Sequence, residues 1–337
     1  MTEKMSYKDA GVDIASGEET VQRIKEKVRT TFTPNVLTDI GRFGGFFALD
    51  LSQYKAPVLV SSIDGVGTKL KVAFMMDKHD TIGQDLVNHC INDILVGGAV
   101  PLYFLDYIGT GILEPHVVEA IISGMAVSCK AAGCALIGGE MAEMPGFYQR
   151  GEYDLAGCIT GIVEKDRVID GSGIQPGNVL IGIPSAGLHT NGYSLARKAL
   201  FERAGFKADT YRDEIKSTVG EALLAVHRSY LSIAKKMMAS FNILGMSHIT
   251  GGGIIGNTKR ILPDNCMLQI DWDVWEMPPI FKLIGDAGNI DAEEMQKVFN
   301  LGIGYIFIVD EAQASDCAAF LRAEGESPVQ VGHVVAK

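Results

Sequence analysis

The chain has 337 residues, with 47% hydrophobic residues, 21% charged residues and a formal net charge of −11 at pH 7. This length predicts about two domains, and the apolar fraction is sufficient for a core in each. The negative charge and the lack of Lys/Arg runs argue against nucleic-acid binding, and no apolar run is long enough to cross a bilayer.

The first half of the chain alternates between predicted helices and strands. Residues 1–18 are polar without a clear period and are predicted to form an N-terminal arm. The elements predicted next are a helix at 20–29, a strand at 57–63, a helix at 82–96, a strand at 102–108, a helix at 115–132 ended by Gly133, and strands at 134–137 and 155–163.

A stretch rich in glycine and proline, DGSGIQPGN (170–178), is the best candidate linker. It separates a predicted N-terminal domain at 19–169 from a C-terminal domain at 170–337. The elements predicted in the second domain are strands at 179–183, 267–270, 305–309 and 329–334, and helices at 192–203, 219–241 and 312–323. Both halves mix helices and strands, so the predicted fold class is α/β (α+β) with two domains.

The six cysteines show no C-x-x-C spacing, and most lie among apolar residues. This pattern is typical of buried, reduced thiols. The first residues also lack the apolar core of a signal peptide. We therefore expect a soluble, cytoplasmic protein.

The stretch DGVGTK (64–69) follows a predicted strand and offers a carboxylate for Mg²⁺, glycine N–H groups for a phosphate and a cation to balance its charge. The residues concerned are Asp64, Gly65, Gly67, Thr68 and Lys69. Its glycines are too close together for the P-loop pattern G-x-x-x-x-G-K-[ST]. The alternative interpretation is an ordinary Asp-Gly turn.

The predicted helix at 82–96 carries a stripe of polar side chains on one face. They are Asp85, Asn88, His89, Asn92 and Asp93. The stripe has no Lys, Arg or Glu, unlike most solvated helix faces. It is either a face that binds metal and polar ligands, with Asp93 the strongest carboxylate candidate, or a polar surface.

Two further stretches combine glycines with polar side chains after a predicted strand. In IGGEMAEMPGFY (137–148), Gly138 and Gly139 allow a backbone to approach a ligand and Glu140 offers a carboxylate; a packed loop is the alternative. In GLHTNGYSLAR (187–197), Thr190 or Asn191 is expected to cap a helix whose first amides form an anion site.

His189 precedes that helix start, where an acid/base group would be useful, although a lone histidine is more often structural. Farther on, HITGGGIIG (248–256) fits the spacing G-x-G-x-x-G. A dinucleotide fingerprint should directly follow a clear strand that opens a βαβ unit, and the residues before this stretch do not read as one. The prediction here is a glycine-rich anion-binding loop formed by Gly251, Gly252 and Gly253.

Taken together, these stretches resemble the aminoimidazole ribonucleotide synthetases, also called phosphoribosylformylglycinamidine cyclo-ligases. The matching segments are YKDAGVD, FGGFF, SSIDGVGTKLK, DLVNHCINDILVGGAVPLYFLDYIGTG, GGEMAEMPGFY, GLHTNGYSLAR, HITGGGI and FNLGIGY, in order from residue 7 to residue 305. The departures are Met141, where Thr is expected, and Tyr305, where Met is expected. The wider superfamily includes formylglycinamidine ribonucleotide synthetase, selenophosphate synthetase, thiamine-monophosphate kinase and a hydrogenase-maturation protein.

The resemblance implies ATP-dependent ring closure of formylglycinamidine ribonucleotide, which gives aminoimidazole ribonucleotide, ADP and phosphate in de novo purine synthesis. It implies a homodimer formed through the N-terminal sheet, a C-terminal α/β domain packed against it, and ATP in a cleft roofed by the N-terminal arm. The implied cofactors are ATP and Mg²⁺, with K⁺ as a further candidate.

On this interpretation the site residues fall into four groups. They are Asp64, Asp93 and Glu140 for the metal; Asp64, Gly65, Gly67, Thr68, Lys69, Asp93, Gly138 and Gly139 for ATP; Gly187, His189, Thr190, Asn191, Gly251, Gly252 and Gly253 for the ribonucleotide; and His189 and Lys69 for catalysis.

Two alternatives stay open at this point: another ATP-dependent phosphoryl-transfer synthetase or kinase of the same superfamily, and a non-catalytic nucleotide-binding homologue. A selenophosphate synthetase carries a reactive Cys or selenocysteine in an N-terminal glycine-rich loop, whereas the first cysteine here is Cys90, inside a predicted helix. The presence together of Asp64, Lys69, Asp93 and His189 argues against a regulator.

Overall fold

The computed structural model describes residues 5–337, which form two compact units. Unit 1 comprises residues 5–91 and Pro101–Glu164, and unit 2 comprises Asn92–Val100 and Lys165–Lys337. Each unit combines helices with a sheet, which confirms the predicted two-domain α/β class. Because Asn92–Val100 belongs to unit 2, no single linker position in the sequence could have described this division.

Unit 1 contains a four-stranded sheet with the strand order β1-β4-β2-β3. Its strands are β1 (Pro57–Gly65), β2 (Val100–Thr110), β3 (Ala135–Glu143) and β4 (Tyr153–Glu164), and its helices are α1 (Ile14–Arg29), α2 (Leu70–Met76), α3 (Asp80–Leu95) and α4 (Pro115–Ala132). Strand β1 is antiparallel to β4 and β2 is parallel to β3, while α1 and α4 pack on each other and on β3. Helix α3 continues into unit 2 from Asn92.

Helix α4 has the predicted bounds because both of its ends are encoded locally. Pro115 is its first residue, where the missing N–H costs nothing. Gly133 follows the helix at φ 66°, and its N–H donates to the carbonyls of Cys129 and Lys130. The predicted helix and its stop signal are confirmed.

Helices α3 and α4 approach each other closely through two glycines. A Cβ at Gly83 would lie 2.0 Å from the carbonyl oxygen of Ile121, and one at Gly124 would lie 2.2 Å from the carbonyl oxygen of Asp80. Such distances leave no room for any side chain at either position. The contact therefore fixes α3, which carries the polar stripe, against α4.

Helix α1 begins at Ile14, six residues before the predicted helix at 20–29. The Asp13 carboxylate caps the helix by accepting from the N–H of Ala15 at 3.1 Å, and the N–H of Asp13 donates to Glu143 at 2.6 Å. The first turn of α1 contributes no buried apolar side chain, so the hydrophobic period did not show it. Part of the predicted arm is thus helical, and residues 1–4 of that arm lie outside the described residues.

Unit 2 contains a five-stranded sheet with the strand order β8-β10-β5-β11-β9, in which neighbouring strands are antiparallel. Its strands are β5 (Val179–Pro184), β8 (Gly245–His248), β9 (Cys266–Ile270), β10 (Ile303–Val309) and β11 (Val329–Ala336), and a separate hairpin consists of β6 (Tyr211–Arg212) and β7 (Ser217–Thr218). Its helices are α5 (Tyr193–Arg197), α6 (Val219–Leu223), α7 (Leu231–Ser240), α8 (Gly253–Thr258), α9 (Pro279–Gly288), α10 (Ala292–Val298) and α11 (Glu311–Ala323). An Ile/Val-rich cluster, including Leu180, Ile306 and Val331, forms the core against this sheet.

The predicted long helix at 219–241 is wrong, because the chain leaves the helix between α6 and α7. Asn92 binds the backbone at this break. Its Oδ1 accepts from the N–H of Tyr230 at 2.9 Å, and its Nδ2 donates to the carbonyl of Arg228 at 2.8 Å. A side chain distant in sequence therefore replaces helical hydrogen bonds, which local periodicity cannot reveal.

Strands β1 and β3 are longer than predicted. Strand β3 continues to Glu143, so the stretch that begins with Gly138 is in the strand and does not form a loop after it. Strand β1 likewise includes Asp64 and Gly65. Among the described residues, no helix has both the length and the apolar character needed to span a membrane.

Candidate active site

The DGVGTK segment joins the end of β1 to helix α2 of unit 1. A single 3₁₀ turn at Gly67–Lys69 connects them, and Gly67 has φ 67°, which favours glycine. Both carboxylate oxygens of Asp64 have a partner. Oδ1 accepts from the N–H of Gly65 at 2.8 Å, and Oδ2 lies 2.7 Å from Nε2 of His89. The carboxylate is 36% exposed, so it faces solvent on its remaining side.

Lys69 is fully buried and forms an ion pair inside unit 1. Its Nζ lies 2.9 Å and 2.8 Å from the two carboxylate oxygens of Asp85, and neither side chain is exposed. Burial lowers the pKa of Lys69, and the neighbouring Asp85 carboxylate opposes that shift. The sequence analysis predicted that Lys69 balances the charge of a phosphate. In the structure the Asp85 carboxylate already neutralises the Lys69 ammonium group.

Four of the five members of the polar stripe of α3 are buried. Asp85, Asn88, His89 and Asn92 are at most 9% exposed, whereas the side chain of Asp93 is 30% exposed, so the stripe as a whole is not a polar surface. Two of its members bind residues of the DGVGTK segment, since Asp85 pairs with Lys69 and His89 with Asp64. The absence of Lys, Arg and Glu distinguished the stripe from a solvated face, but it did not reveal these internal contacts.

Gly138, Gly139 and Glu140 line a cavity of about 760 Å³ in unit 1. Its other walls come from α1, from residues 39–49 and from β2, including Asp106. Burial raises the pKa of Asp106 to about 7. Glycine is required at 139, because a Cβ there would lie 2.7 Å from the backbone carbonyl oxygen of Asp106 and 2.3 Å from its Oδ1.

The sheet order separates two of the predicted metal ligands. Asp64 lies on β1 and Glu140 on β3, which are the outer strands of the four-stranded sheet. Three strand spacings of about 4.8 Å place these strands about 14 Å apart. Within one chain the sheet therefore does not bring Asp64 and Glu140 together, and a shared role of these two carboxylates at one metal stays a prediction.

In unit 2 the loop after β5 holds His189 in a left-handed conformation with φ 63°, which is rare for a residue other than glycine. The N–H of Ala186 donates to Nε2 of His189 at 3.1 Å, so a neutral His189 carries its hydrogen on Nδ1. The carbonyl of Gly187 accepts from Nδ2 of Asn300 at 2.9 Å. These bonds stabilise the strained loop.

The predicted helix cap by Thr190 or Asn191 is wrong. Gly192 occupies the cap position at φ 77°, and no side chain caps the helix. The side chain of Asn191 instead lies beside Gly251, where a Cβ would be 3.2 Å from its Oδ1. The structure thus brings together two of the segments predicted to bind the ribonucleotide.

The glycine-rich stretch follows strand β8 and opens the short helix α8. The expectation that no clear strand precedes it is therefore wrong. The dinucleotide fold is excluded for another reason, because β8 pairs antiparallel with β10 and opens no parallel βαβ unit. The N–H of Gly253 donates to the carbonyl of Thr250, and a Cβ at Gly253 would lie 1.9 Å from the carbonyl of Gln296, so this glycine serves packing.

Unit 2 also contains a cluster of three histidines, of which sequence reasoning singled out one. His227 Nε2 lies 2.9 Å from Nε2 of His248, and the ring of His189 stacks on His227 with a centroid distance of 4.0 Å. His248 Nδ1 lies 2.9 Å from Oδ1 of Asp93. His248 opens the quoted HITGGG stretch, whereas nothing in the sequence distinguishes His227.

The donor sets of the two units suit different ions. The exposed side of Asp64 offers carboxylate oxygen, which Mg²⁺ prefers. The ligand atoms of His189, His227 and His248 lie within 4.8 Å of one another, but ring nitrogens suit zinc rather than magnesium. The carboxylates of Asp64 and Asp93, which are 36% and 30% exposed, therefore fit Mg²⁺ better than the three histidines do.

Comparisons with known proteins agree over most of the chain. The family described as AIR synthase related protein, N-terminal domain, matches residues 50–163, and its C-terminal domain counterpart matches residues 175–337. A phosphoribosylformylglycinamidine cyclo-ligase of Syntrophotalea carbinolica is 54% identical over 331 residues, which is 98% of this chain and 95% of the relative.

Two solved structures share the fold at low sequence identity. Thiamine-monophosphate kinase from Stenotrophomonas maltophilia has a TM-score of 0.70 at 14% identity and covers 94% of both chains. The hydrogenase maturation protein HypE, solved in complex with ATP, has a TM-score of 0.64 at 17% identity and covers 93% of this chain and 86% of HypE.

Proposed function

The chain belongs to the AIR synthase related family as a phosphoribosylformylglycinamidine cyclo-ligase, and we propose that it uses ATP to close the ring of formylglycinamidine ribonucleotide. The products are aminoimidazole ribonucleotide, ADP and phosphate. The observation that carries this function is the 54% identity to a cyclo-ligase over 98% of the chain. That identity also favours ring closure over the other superfamily activities.

The chemistry needs an activated leaving group. Transfer of the ATP γ-phosphoryl group to the formyl amide oxygen converts a poor leaving group into phosphate. The amidine nitrogen then attacks the formyl carbon, the C–O bond to phosphate breaks and the five-membered ring forms. Phosphoryl transfer depends mainly on positioning and charge neutralisation, which fits a site of carboxylates, backbone N–H groups and histidines without a nucleophile.

In unit 1, Asp64 is the proposed ligand for Mg²⁺, and the N–H groups of Gly65, Gly67 and Thr68 are proposed to line the phosphates. Bound Mg²⁺ would neutralise phosphate charge. Lys69 is proposed to hold this segment on α3 through Asp85, because its charge is already balanced. Asp93 of unit 2 stays a proposed metal ligand, with His248 orienting one of its oxygens.

The cavity lined by Gly138 and Gly139 is the proposed site for the adenosine part of ATP. Its volume and its combination of apolar walls with exposed backbone are typical of small-molecule pockets. The variant Gly138→Ala tests it, since the new methyl group would meet Leu105 only at an ordinary 3.5 Å. We expect a raised KM for ATP without loss of stability, and an unchanged KM would contradict the proposal. Gly256→Ala is the matched control because nothing lies within 4 Å of its added Cβ.

In unit 2 the loop from Gly187 to Asn191 is the proposed site of the ribonucleotide, together with Gly251 and Gly252. The contact between Asn191 and Gly251 joins the two segments. His189 is the proposed acid/base group, and the bond from Ala186 to its Nε2 sets its Nδ1 as the donor. A near-wild-type kcat of His189→Ala would contradict this role.

A homodimer through the sheet of unit 1 is proposed because β1 leaves large apolar side chains in solvent. Ile63 is 71% exposed, and Leu59, which also lines the cavity proposed for ATP, is 53% exposed. We expect Ile63→Asp to shift the protein from dimer to monomer in light scattering, whereas Val127→Asp, on the exposed face of α4, should not. An unchanged dimer in Ile63→Asp would contradict this interface.

All six cysteines lie in the described part of the chain, none of them is in a disulfide there, and five are buried. Cysteines without disulfides are typical of reducing compartments, which supports the proposal of a cytoplasmic enzyme.

The main test is a coupled assay of ADP release with formylglycinamidine ribonucleotide, combined with identification of the product. We expect ADP formation that depends on this ribonucleotide and yields the imidazole product in equal amount. ADP release with thiamine monophosphate in its place would favour a kinase. Nucleotide binding without turnover would favour a non-catalytic homologue.

A further inference from the structure

His227 is fully buried and lies between two parts of unit 2 that the proposed mechanism uses separately. Its Nδ1 is 3.3 Å from Oγ1 of Thr190, in the loop proposed to bind the ribonucleotide. Its Nε2 is 2.9 Å from Nε2 of His248, which in turn contacts Asp93. A single imidazole therefore connects the two parts.

Asn92 determines which nitrogen of His227 carries hydrogen. Because its Oδ1 accepts from the backbone N–H of Tyr230, the other end of the amide must be the NH₂ group. That group donates to the carbonyl of Arg228 and lies 3.2 Å from Nε2 of His227. Nε2 of His227 is thus an acceptor, and its hydrogen is on Nδ1, facing Thr190.

The direction of the contact between the two imidazoles follows from this assignment. Two ring nitrogens 2.9 Å apart need a hydrogen between them. Since Nε2 of His227 accepts, the hydrogen in this contact belongs to Nε2 of His248. The 2.9 Å contact between Nδ1 of His248 and the Asp93 carboxylate needs a hydrogen as well, so His248 carries one on each ring nitrogen. His248 therefore donates to His227, and His227 donates to Thr190. Asp93 lies on the other side of His248.

The same assignments argue against a metal ion in the histidine cluster. A metal-binding nitrogen must offer its lone pair to the ion. His189 uses its Nε2 to accept from Ala186, and His227 uses its Nε2 to accept from Asn92 and His248. His248, His227 and Thr190 thus form a directed hydrogen-bond chain, and the ring of His189 stacks on its middle member.

We propose that His227 is a positioning residue for ring closure, which holds His248 through its Nε2 and Thr190 through its Nδ1–H. This inference rests on the proposed function, in which the Thr190 loop binds the ribonucleotide. The two ends of the imidazole then affect different steps. Its Nδ1–H positions the substrate loop, and its Nε2 positions His248 and Asp93 for the chemical step.

Two substitutions separate these ends. In His227→Gln the side-chain oxygen can reach the position of Nε2, but the donor to Thr190 is lost. We therefore expect KM for the ribonucleotide to rise about tenfold with kcat nearly unchanged.

In His227→Asn the amide NH₂ replaces Nδ1–H, but the acceptor for His248 is lost. Here kcat is expected to fall about tenfold with KM nearly unchanged. His333→Gln, at an exposed contact with Gln330 on β11, is the matched control.

Equal losses in kcat and in KM for both variants would show that His227 is only a packing residue and would overturn the proposal. Wild-type kinetics in both variants would also overturn it.

A second measurement does not need the variants to fold. Nitrogen-15 spectra of the histidine rings in the wild-type protein should show His227 with hydrogen on Nδ1. Hydrogen on Nε2, or zinc bound in equal amount to protein, would overturn the assignment. If these spectra agree but the wild-type chain does not turn over formylglycinamidine ribonucleotide, it is the proposed function that fails.

Discussion

Two lysines of unit 1, two residues apart in sequence, form ion pairs in opposite environments. Lys69 and Asp85 are completely buried, whereas Lys71 and Glu152 are 41% and 30% exposed. A buried pair has lost its hydration, so each charge depends on the other, while water and salt can replace the partner of an exposed charge. Burial, rather than charge or position in sequence, thus decides how much the loss of one partner destabilises unit 1.

The largest expected effect follows from Lys69→Met, which leaves the Asp85 carboxylate buried without its counter-charge. We expect the free energy of unfolding to fall by about 3–5 kcal/mol, as measured by urea denaturation. The double variant Lys69→Met/Asp85→Leu should recover most of that loss, because the remaining charge is gone. A single variant that is as stable as the wild type would show that the pair is not sealed from water.

Asp64 and His89 form a third pair of intermediate exposure, and we expect its loss to affect activity rather than folding. Asp64→Asn keeps the shape and the contact with Gly65 but removes the charge proposed to hold Mg²⁺. ATP turnover should fall about 100-fold or more, which is about 2.7 kcal/mol of transition-state stabilisation, with an unchanged melting temperature. Turnover with the wild-type dependence on Mg²⁺ would remove the metal role.

Asp106 extends the comparison to a buried carboxylate for which burial, not a cation, sets the pKa of about 7. Below about pH 4 the group is protonated in both the folded and the unfolded chain. Between pH 4 and 7 the folded chain keeps the proton that the unfolded chain has lost, so stability falls by about 1.4 kcal/mol per pH unit. Asp106→Asn should not lose stability in this range. The unfolding free energy of the variant minus that of the wild type should therefore grow from pH 4 to 7 and then stay constant. A constant difference in unfolding free energy across that range would contradict the raised pKa.

The smallest expected effect is that of Lys71→Met. Removing one partner of an exposed pair should change the unfolding free energy by less than about 1 kcal/mol, and the change should shrink as salt is added. A loss as large as that of Lys69→Met would mean that exposure does not distinguish the two lysines.

Whether a helix could be predicted from the sequence depended on how far along the chain the residues that fix its ends lie. Helix α4 was predicted to the residue, because Pro115 and Gly133 encode its ends locally. The break between α6 and α7 depends on Asn92, more than a hundred residues earlier in the chain, and no local pattern could show it.

The candidate site shows the same limit. The composition of the α3 stripe argued against an ordinary solvated face, but the pairing of Lys69 with Asp85 required the fold. His227 had no signal in the sequence, because its importance comes from the residues on either side of it in space.

The close contact of α3 and α4 has a consequence for how this protein tolerates change. Gly83 and Gly124 each meet a carbonyl oxygen where a Cβ would have to be. Even alanine at either position would push the two helices apart, and α3 would carry Asp85 and His89 with it. In a library of all single substitutions, these two positions should therefore accept glycine alone, although neither side of the contact includes a residue that would touch a substrate.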